Sequence, residues 1–404
     1  MAAPKLRFKE FDGDWFQSKI GEIFQVTSGS TPLRSDNRFF ENADIAWVKT
    51  TDLNNGLIEK TEEKISQIAL KETSVKILPK GTVFVAMYGG FNQIGRTGLL
   101  VHEAACNQAL SAIYPNEKID SYFLLTFLNH KVDDWKNFAA SSRKDPNITK
   151  SDVLAFPLKY PVKEEQTKIA FFLSAVDEKI SQLTQKHELL SQYKQGMMQK
   201  LFSQQIRFKA DDGSEFGEWE NKTLGEVGEN IIGLTYSPTD VTNDSTGILV
   251  LRSSNIKEGR LDKSDQVRVN KKIKDKIIIQ PNDILICTRN GSQRLIGKSV
   301  IINDDEIMTF GAFMSVYRSD YNRFIAYLMQ MPWFFEQVQM NLGARINQIT
   351  TGTLNEFTFD FPCLEEQTKI ANFLSAIDQK NEVVAQQIEQ AKIWKKGLLQ
   401  QMFV

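Results

Sequence analysis

EEQTKIAFFLSAVDEKI at residues 164–180 returns as EEQTKIANFLSAIDQKN at residues 365–381, with thirteen of seventeen letters unchanged and an offset of 201. The match extends on both sides. KQGMMQKLF (194–202) returns as KKGLLQQMF (395–403), and NITKSDVLAF (147–156) has an echo in NQITTGTLNEF (347–357). There Ile148, Thr149, Val153 and Phe156 fall on Ile349, Thr350, Leu354 and Phe357. LRFKEFDGDW (6–15) parallels IRFKADDGSEFGEW (206–219), and Gly21-Glu22 parallels Gly225-Glu226. A repeat of about 200 residues is a duplicated domain, not a solenoid unit.

The repeated phrases predict long helices. Pro161 and Pro362 punctuate their entrances, and Glu164-Glu165 and Glu365-Glu366 fall in the first turn, where carboxylates complement the helix dipole. Apolar residues then follow 3-4 spacing through Ile169, Leu173, Val176, Ile180, Leu183, Leu190, Met197 and Leu201. The second copy gives Ile370, Leu374, Ile377, Val384, Ile388, Ala391, Leu398 and Met402. Polar residues interrupt the seam at His187, Lys194, Asn381 and Lys395. At 1.5 Å per residue each helix is roughly 55–60 Å long. Two such seams most simply bury each other in a coiled coil. If the repeats are equivalent, the helices run antiparallel and the N-terminal segment lies near the end of the second helix, around residues 395–404.

Between these helices the halves diverge while their punctuation survives. WVKTTDLNNGLI (47–58) parallels VLRSSNIKEGRL (250–261), and LPKGTVFVAMYGGFNQIGRTG (78–98) parallels QPNDILICTRNGSQRLIGKS (280–299). Short β-branched runs bounded by Pro, Gly and Asn predict strands, with short helices over 121–138 and 324–342. The expected class is α+β, with two pseudo-repeated halves. Residues 1–163 and 205–363 form β-rich domains, each followed by a long helix (164–204 and 364–404).

Composition excludes several classes of function. Three cysteines without a CxxC argue against a disulfide framework or zinc site. The three histidines, His102, His130 and His187, have no suggestive partners for triad or metal chemistry. No apolar run or leader marks a membrane or secreted protein, so a cytoplasmic location is expected. GFNQIGRT (90–97) resembles a phosphate-binding loop, but Arg96 replaces the lysine, Ser292 replaces the glycine in the second copy, and apolar strand-like runs follow both. A strand–loop–strand presenting a cation fits better. Neither an NPP[YF] tetrapeptide nor a glycine-rich cofactor turn nor a nuclease carboxylate cluster is present.

The net charge is −1, yet residues 250–300 hold twelve Lys/Arg against five Asp/Glu, an excess of seven. Arginines and amides in turns suit base edges, while Lys and Ser/Thr suit phosphates. TRNGSQR (288–294), GARINQ (343–348) and SSRKDPN (141–147) carry such residues. The DNA-binding candidates are Arg34, Lys49, Thr50, Arg96, Arg143, Lys144 and Asn147 in the first half. In the second half they are Arg252, Ser253, Arg289, Asn290, Gln293, Arg294, Lys298, Arg345, Asn347 and Gln348.

Two variable domains alternating with repeated helices that open EEQTKIA resemble the specificity subunit of type I restriction–modification enzymes over essentially the whole chain. The resemblance implies two target-recognition domains, each reading half of a bipartite site in double-stranded DNA, joined by two antiparallel conserved helices. It further implies two methyltransferase subunits held by those helices and two restriction/translocase subunits joining them. S-adenosylmethionine, ATP and magnesium would belong to the partners, with no cofactor in this chain. Two other readings stay open at this level: a scaffold of β domains that bind something other than DNA, and a fragment of a fused restriction enzyme. The absence of catalytic motifs generates a first prediction. The purified chain alone turns over no S-adenosylmethionine in a radiolabelled-methyl assay, and methylation by the chain alone would contradict this reading.

Overall fold

A computed structural model describes residues 4–90, 92–139, 147–342 and 347–403. The chain divides into two units, residues 1–185 with 385–404 and residues 186–384. The division falls inside both long helices, Lys163–Phe202 and Leu364–Met402. Each unit therefore combines one β-rich domain, the start of its own helix and the end of the other.

In the first unit a five-stranded sheet carries Val26–Ser28, Leu110–Ile113, Val83–Ala86, Thr97–Leu100 and Gly56–Ile58 in that order. A three-stranded sheet forms from Glu63–Ile65, Ile45–Val48 and Ala105–Cys106. In the second unit Glu229–Ile232, Met314–Arg318, Ile284–Cys287 and Ser299–Ile301 form a four-stranded sheet, with a second four-stranded sheet centred on Arg268–Val269 and Ile248–Leu251. The expected helical stretches are each broken in two: Ser121–His130 with Val132–Ala139, and Asn322–Leu328 with Pro332–Met340. Pro332 explains the second break, because it lacks the N–H that an uninterrupted helix needs.

Backbone hydrogen bonds establish the equivalence of the halves residue by residue. Ile20 N donates to Phe156 O, and Leu224 N to Phe357 O. Ile148 N donates to Met87 O at 3.0 Å, and Ile349 N to Thr288 O at 2.9 Å. Thr149 and Thr350 cap the next short helix, accepting from Asp152 N and Thr353 N. At the chain start, Leu6 N donates to Gln401 O, as Ile206 N donates to Lys200 O. The N-terminal segment thus lies against the end of the second long helix, where residues 203–219 continue from the first.

The apolar seam is buried where the domains meet it. In the first unit Ile169, Leu173 and Val176 share one core with Leu398, Met402 and Phe403. In the second, Ile370, Leu374 and Ile377 share a core with Met198, Leu201 and Phe202. The start of one helix packs on the end of the other, so the pairing is antiparallel. Asn381, a polar interruption of the seam, is buried with its amide directed to Ser191 Oγ at 3.4 Å. Such a residue fixes register at a cost in stability.

The EEQ triplet has a structural role in both copies. Glu165 is fully buried and takes a two-pronged bond from Arg7, at 2.8 and 2.7 Å. Glu366, equally buried, takes the same fork from Arg207 and a further bond from Trp219 Nε1 at 3.0 Å. These carboxylates hold both guanidinium pKa values above the usual arginine range. Gln166 and Gln367 each donate to the carbonyl of the proline before the helix, Pro161 and Pro362, at 2.9 and 2.8 Å. A buried carboxylate left without its partner costs about 3–5 kcal/mol. Arg7→Ala is therefore expected to lose about this much in urea unfolding, and Arg207→Ala less, because Trp219 still serves Glu366. Losses below about 1 kcal/mol for both, the range of exposed pairs, would contradict the assignment.

Candidate nucleic-acid interface

The strand Ile284–Cys287 runs into a loop that returns as Ser299–Ile301, paired antiparallel with it. Thr288, at the loop's base, is tied by its N–H and hydroxyl to Phe313 O and by its carbonyl to Ile349 N. From this anchor three segments converge. Arg289 bridges to Gln348, Asn290 N donates to Asn347 O at 3.3 Å, and Asn347 Nδ2 donates to Gly291 O at 3.1 Å. Asn290 Nδ2 also donates to Ser253 Oγ at 2.9 Å. The Arg289 guanidinium stacks on the exposed Phe313 ring at 4.8 Å. A stacked guanidinium keeps its in-plane N–H donors available to an acceptor. Gln293 reaches Gln339 Oε1 at 3.1 Å. Five of the second-half candidates are thereby gathered together, Ser253, Arg289, Asn290, Asn347 and Gln348, with Gln293 and Arg294 on the turn Gln293–Leu295 of the same loop. Beside it opens a cleft of about 670 Å³ whose walls include Tyr236, Phe313, Arg252 and Ser253.

The electrostatics differ from the charge count along the sequence. Seven of the twelve cations in 250–300 pair with acids, several of them far away in sequence. The pairs are Arg252–Asp265, Lys257–Asp262, Arg260–Glu382, Lys263–Asp304, Arg268–Glu306, Lys271–Asp240 and Lys276–Glu229. Asp304 and Glu306 are held below the usual carboxylate range, by Lys263 and Arg268 respectively. The excess of seven is largely neutralised in space. Arg289, Arg294 and Lys298 stand without an acidic partner among the described residues, and all belong to the 288–298 loop; Lys272 and Lys274 share that condition.

The first unit builds the same loop with other side chains. Ala86 N donates to Arg96 O and Gly95 N to Ala86 O, as Cys287 N donates to Lys298 O and Gly297 N to Cys287 O. Arg96 therefore occupies the place of Lys298, with its Nε on Asn92 O at 3.1 Å. The glycine of each GRT/GKS turn has positive φ, 77° and 83°, and a Cβ there would meet Trp135 at 2.7 Å or Val338 at 3.1 Å. The motif is thus a turn into a strand, and no phosphate-cradling helix follows it. Asn147 is exposed immediately before Ile148.

Arg34 and Lys49 are engaged elsewhere. Arg34 stacks on Phe40 and Trp47 and pairs with Glu63 at 2.6 Å; Lys49 pairs with Glu63 and Glu62 at 2.7 and 3.1 Å. The Glu63 carboxyl is held low by Arg34 and Lys49, and Lys49 is raised chiefly by Glu63. Thr50 opens the turn Thr50–Asp52, as Ser253 opens Ser253–Asn255. Arg143, Lys144 and Arg345 lie outside the described residues. Two exposed aromatics escaped the sequence reading. Tyr88 follows Met87 as Arg289 follows Thr288, an equivalence set by the bonds of Ile148 N to Met87 O and Ile349 N to Thr288 O, and Phe313 had no sequence signal.

Comparison with known proteins gives a consistent result. The type I restriction modification DNA specificity domain matches residues 12–192 and 217–392. The MjaVIII specificity subunit of Methanocaldococcus jannaschii is 24% identical over 418 residues, spanning 97% of this chain and 94% of that protein. The MjaIX specificity subunit of the same organism is 28% identical over 237 residues, 54% of each protein. This chain therefore spans about half the length of that relative. The S subunit of a type I restriction-modification system from M. genitalium has the same fold, with a TM-score of 0.64 at 15% identity over 100% of this chain and 99% of that one. A chain from the type I R-M system, described for its complex assembly and conformational transition, aligns over 98% of both with a TM-score of 0.57 and 18% identity. With the specificity domain matched twice along it, the chain belongs to the family of type I restriction-modification specificity subunits, the DNA-recognition rather than the catalytic components of these systems.

Proposed function

We propose that each domain reads one half of a bipartite site in double-stranded DNA, using the loops at 88–96 and 288–298 with the segments beside them. The observation that carries this reading is the pairing of an identical backbone frame with unlike loop side chains. Met87/Thr288, Gly95/Gly297 and Ile148/Ile349 are fixed by the same bonds, while Tyr88 and Arg289 differ at the loop's first free position. Unlike side chains on like frames suit two different half-sites read in related orientations. Arg289 on Phe313 suits the bidentate contact of arginine with guanine, and Lys298 and Arg96 suit phosphates.

The two long helices, 40 and 39 residues, set the distance between the half-sites in this reading. Their outer faces dock two methyltransferase subunits. Tyr193 and Trp394, repeat-equivalent aromatics, are 50% and 52% exposed. Each lies one turn before a helical glycine, Gly196 or Gly397, that faces open space. A helical glycine costs about 1 kcal/mol relative to alanine, so a duplicated one suits close approach by another chain. Two restriction/translocase subunits complete the complex, and S-adenosylmethionine, ATP and magnesium serve these partners.

Substitution separates the half-sites. Arg289→Ala is expected to weaken binding through the second half-site by about 1–3 kcal/mol and to relax base choice there. Lys298→Ala weakens all sequences in that half alike, and Arg96→Ala acts on the other half only. Fluorescence anisotropy on duplexes with one half-site scrambled reads this out. Equal loss at both half-sites from a single substitution would overturn the division of labour.

A further inference from the structure

In each unit three elements meet at one carboxylate. Tyr122, on the domain helix Ser121–His130, donates its hydroxyl to Asp177 Oδ2 at 2.6 Å. Lys395, near the end of the second long helix, reaches Asp177 Oδ1 at 2.5 Å. In the second unit Tyr327, on Asn322–Leu328, donates to Asp378 Oδ2 at 2.8 Å, and Lys194 reaches Asp378 Oδ1 at 2.7 Å. Lys194 also sits over the Tyr327 ring at 5.0 Å. The aspartates and lysines obey the 201-residue offset, but the tyrosines are 205 apart and stand in unlike sequences, SYFLLTFLNH and NRFIAYL. Two diverged domains therefore present the same hydroxyl to the same carboxylate.

Apolar contacts such as Phe123 and Leu124 with Ile169 and Leu173 in one core make up most of the seat, and the other polar ties differ between the units: Asp120 N donates to Gln166 Oε1 in the first, and Arg323 to Asn372 Oδ1 and Arg260 to Glu382 in the second. Apolar contacts are non-directional and tolerate small rotations. A carboxylate with one oxygen on a tyrosine and the other on a lysine favours a narrow range of arrangements of the three elements, the tyrosine hydroxyl being the more directional tie. Burial, and then the neighbouring carboxylate, push both tyrosine hydroxyls well above their usual range, so they remain donors. Both ion pairs are partly exposed, with Asp177 and Asp378 33% and 42% accessible. Pairs of this kind add little to stability, which leaves orientation as their contribution.

We propose that the Tyr–Asp–Lys clasp is the joint that fixes each recognition domain's angle on the helix pair, making Tyr122, Asp177, Lys395, Tyr327, Asp378 and Lys194 positioning residues for the number of unread base pairs accepted between half-sites. The inference rests on the bipartite reading above. Its test uses the full chain and duplexes carrying the motif found by methylation sequencing, with the spacer stepped one base pair at a time. Parallel duplexes have one half-site scrambled. The double variant Tyr122→Phe with Tyr327→Phe removes two oxygens and no packing volume. It is expected to bind each single half-site as the parent does, while preference for the best spacer over its neighbours falls about tenfold. Asp177→Asn alone gives about half that loss on a logarithmic scale. A spacer profile as sharp as the parent's, with half-site binding intact, overturns the clasp. A parent with no spacer preference overturns the bipartite reading and the clasp with it. Should the tyrosine pair fail to fold, Lys194→Gln with Lys395→Gln loosens the same joint from its accessible side and is judged by the same two profiles.

Discussion

Neither long helix can bury its apolar seam with the domain that precedes it alone. Ile169, Leu173 and Val176 need Leu398, Met402 and Phe403, and Ile370, Leu374 and Ile377 need Met198, Leu201 and Phe202. Each core is completed by the other repeat's helix, so neither half of the chain is a self-sufficient domain. The fold is consequently an exchange between repeats, and its consequences propagate outward. The carboxylates of the EEQ triplets are buried because the helix starts are buried, and their arginines arrive on whichever segment follows the other helix's end. For the second unit that segment is continuous in sequence. For the first it is the N-terminal segment, held by the bond of Leu6 N to Gln401 O, the counterpart of the bond of Ile206 N to Lys200 O.

This exchange explains the division between fixed and variable sequence. Positions at the junction must satisfy two helices and a domain together, so they repeat: Glu165/Glu366, Gln166/Gln367, Asp177/Asp378, Lys194/Lys395. The loops at 88–96 and 288–298 answer only to their own domain's backbone frame, and there the side chains differ. The frame's demands are visible in Gly95 and Gly297, whose positive φ disfavours any side chain and, at Gly95, leaves a Cβ only 2.7 Å from Trp135. A protein that reads two unlike half-sites through one scaffold needs this separation of constraints.

Much of the architecture was legible in the sequence because it is written twice. The seam's period gave the helices, the offset gave their antiparallel pairing, and the parallel of 78–98 with 280–299 placed Arg96 on Lys298, whereas the match of Tyr88 to Arg289 shows only in the backbone bonds. The interface was less legible, for physical reasons. The cationic excess of residues 250–300 is a property of the window, whereas Glu382, Asp304, Glu306, Asp240 and Glu229 come from outside it to neutralise most of that charge. Only tertiary structure separates Arg289, Arg294 and Lys298 from their paired neighbours. Among the DNA-binding candidates, Arg34 pairs with Glu63 and Lys49 with Glu62 and Glu63, partners that no sequence spacing announces. Phe313, which supports Arg289, carries no sequence signal because stacking partners distant along the chain obey no spacing rule. The clasp tyrosines were hidden similarly, lying in helices whose sequences share no pattern.

In the proposed function two recognition surfaces on one chain read two separated half-sites. Methylome sequencing of cells with and without this gene, the partner genes being intact in both, tests it most directly. Gene-dependent adenine methylation is expected at a motif of two specified segments separated by a fixed run of unspecified base pairs. A single continuous motif, or an unchanged methylome, would contradict it.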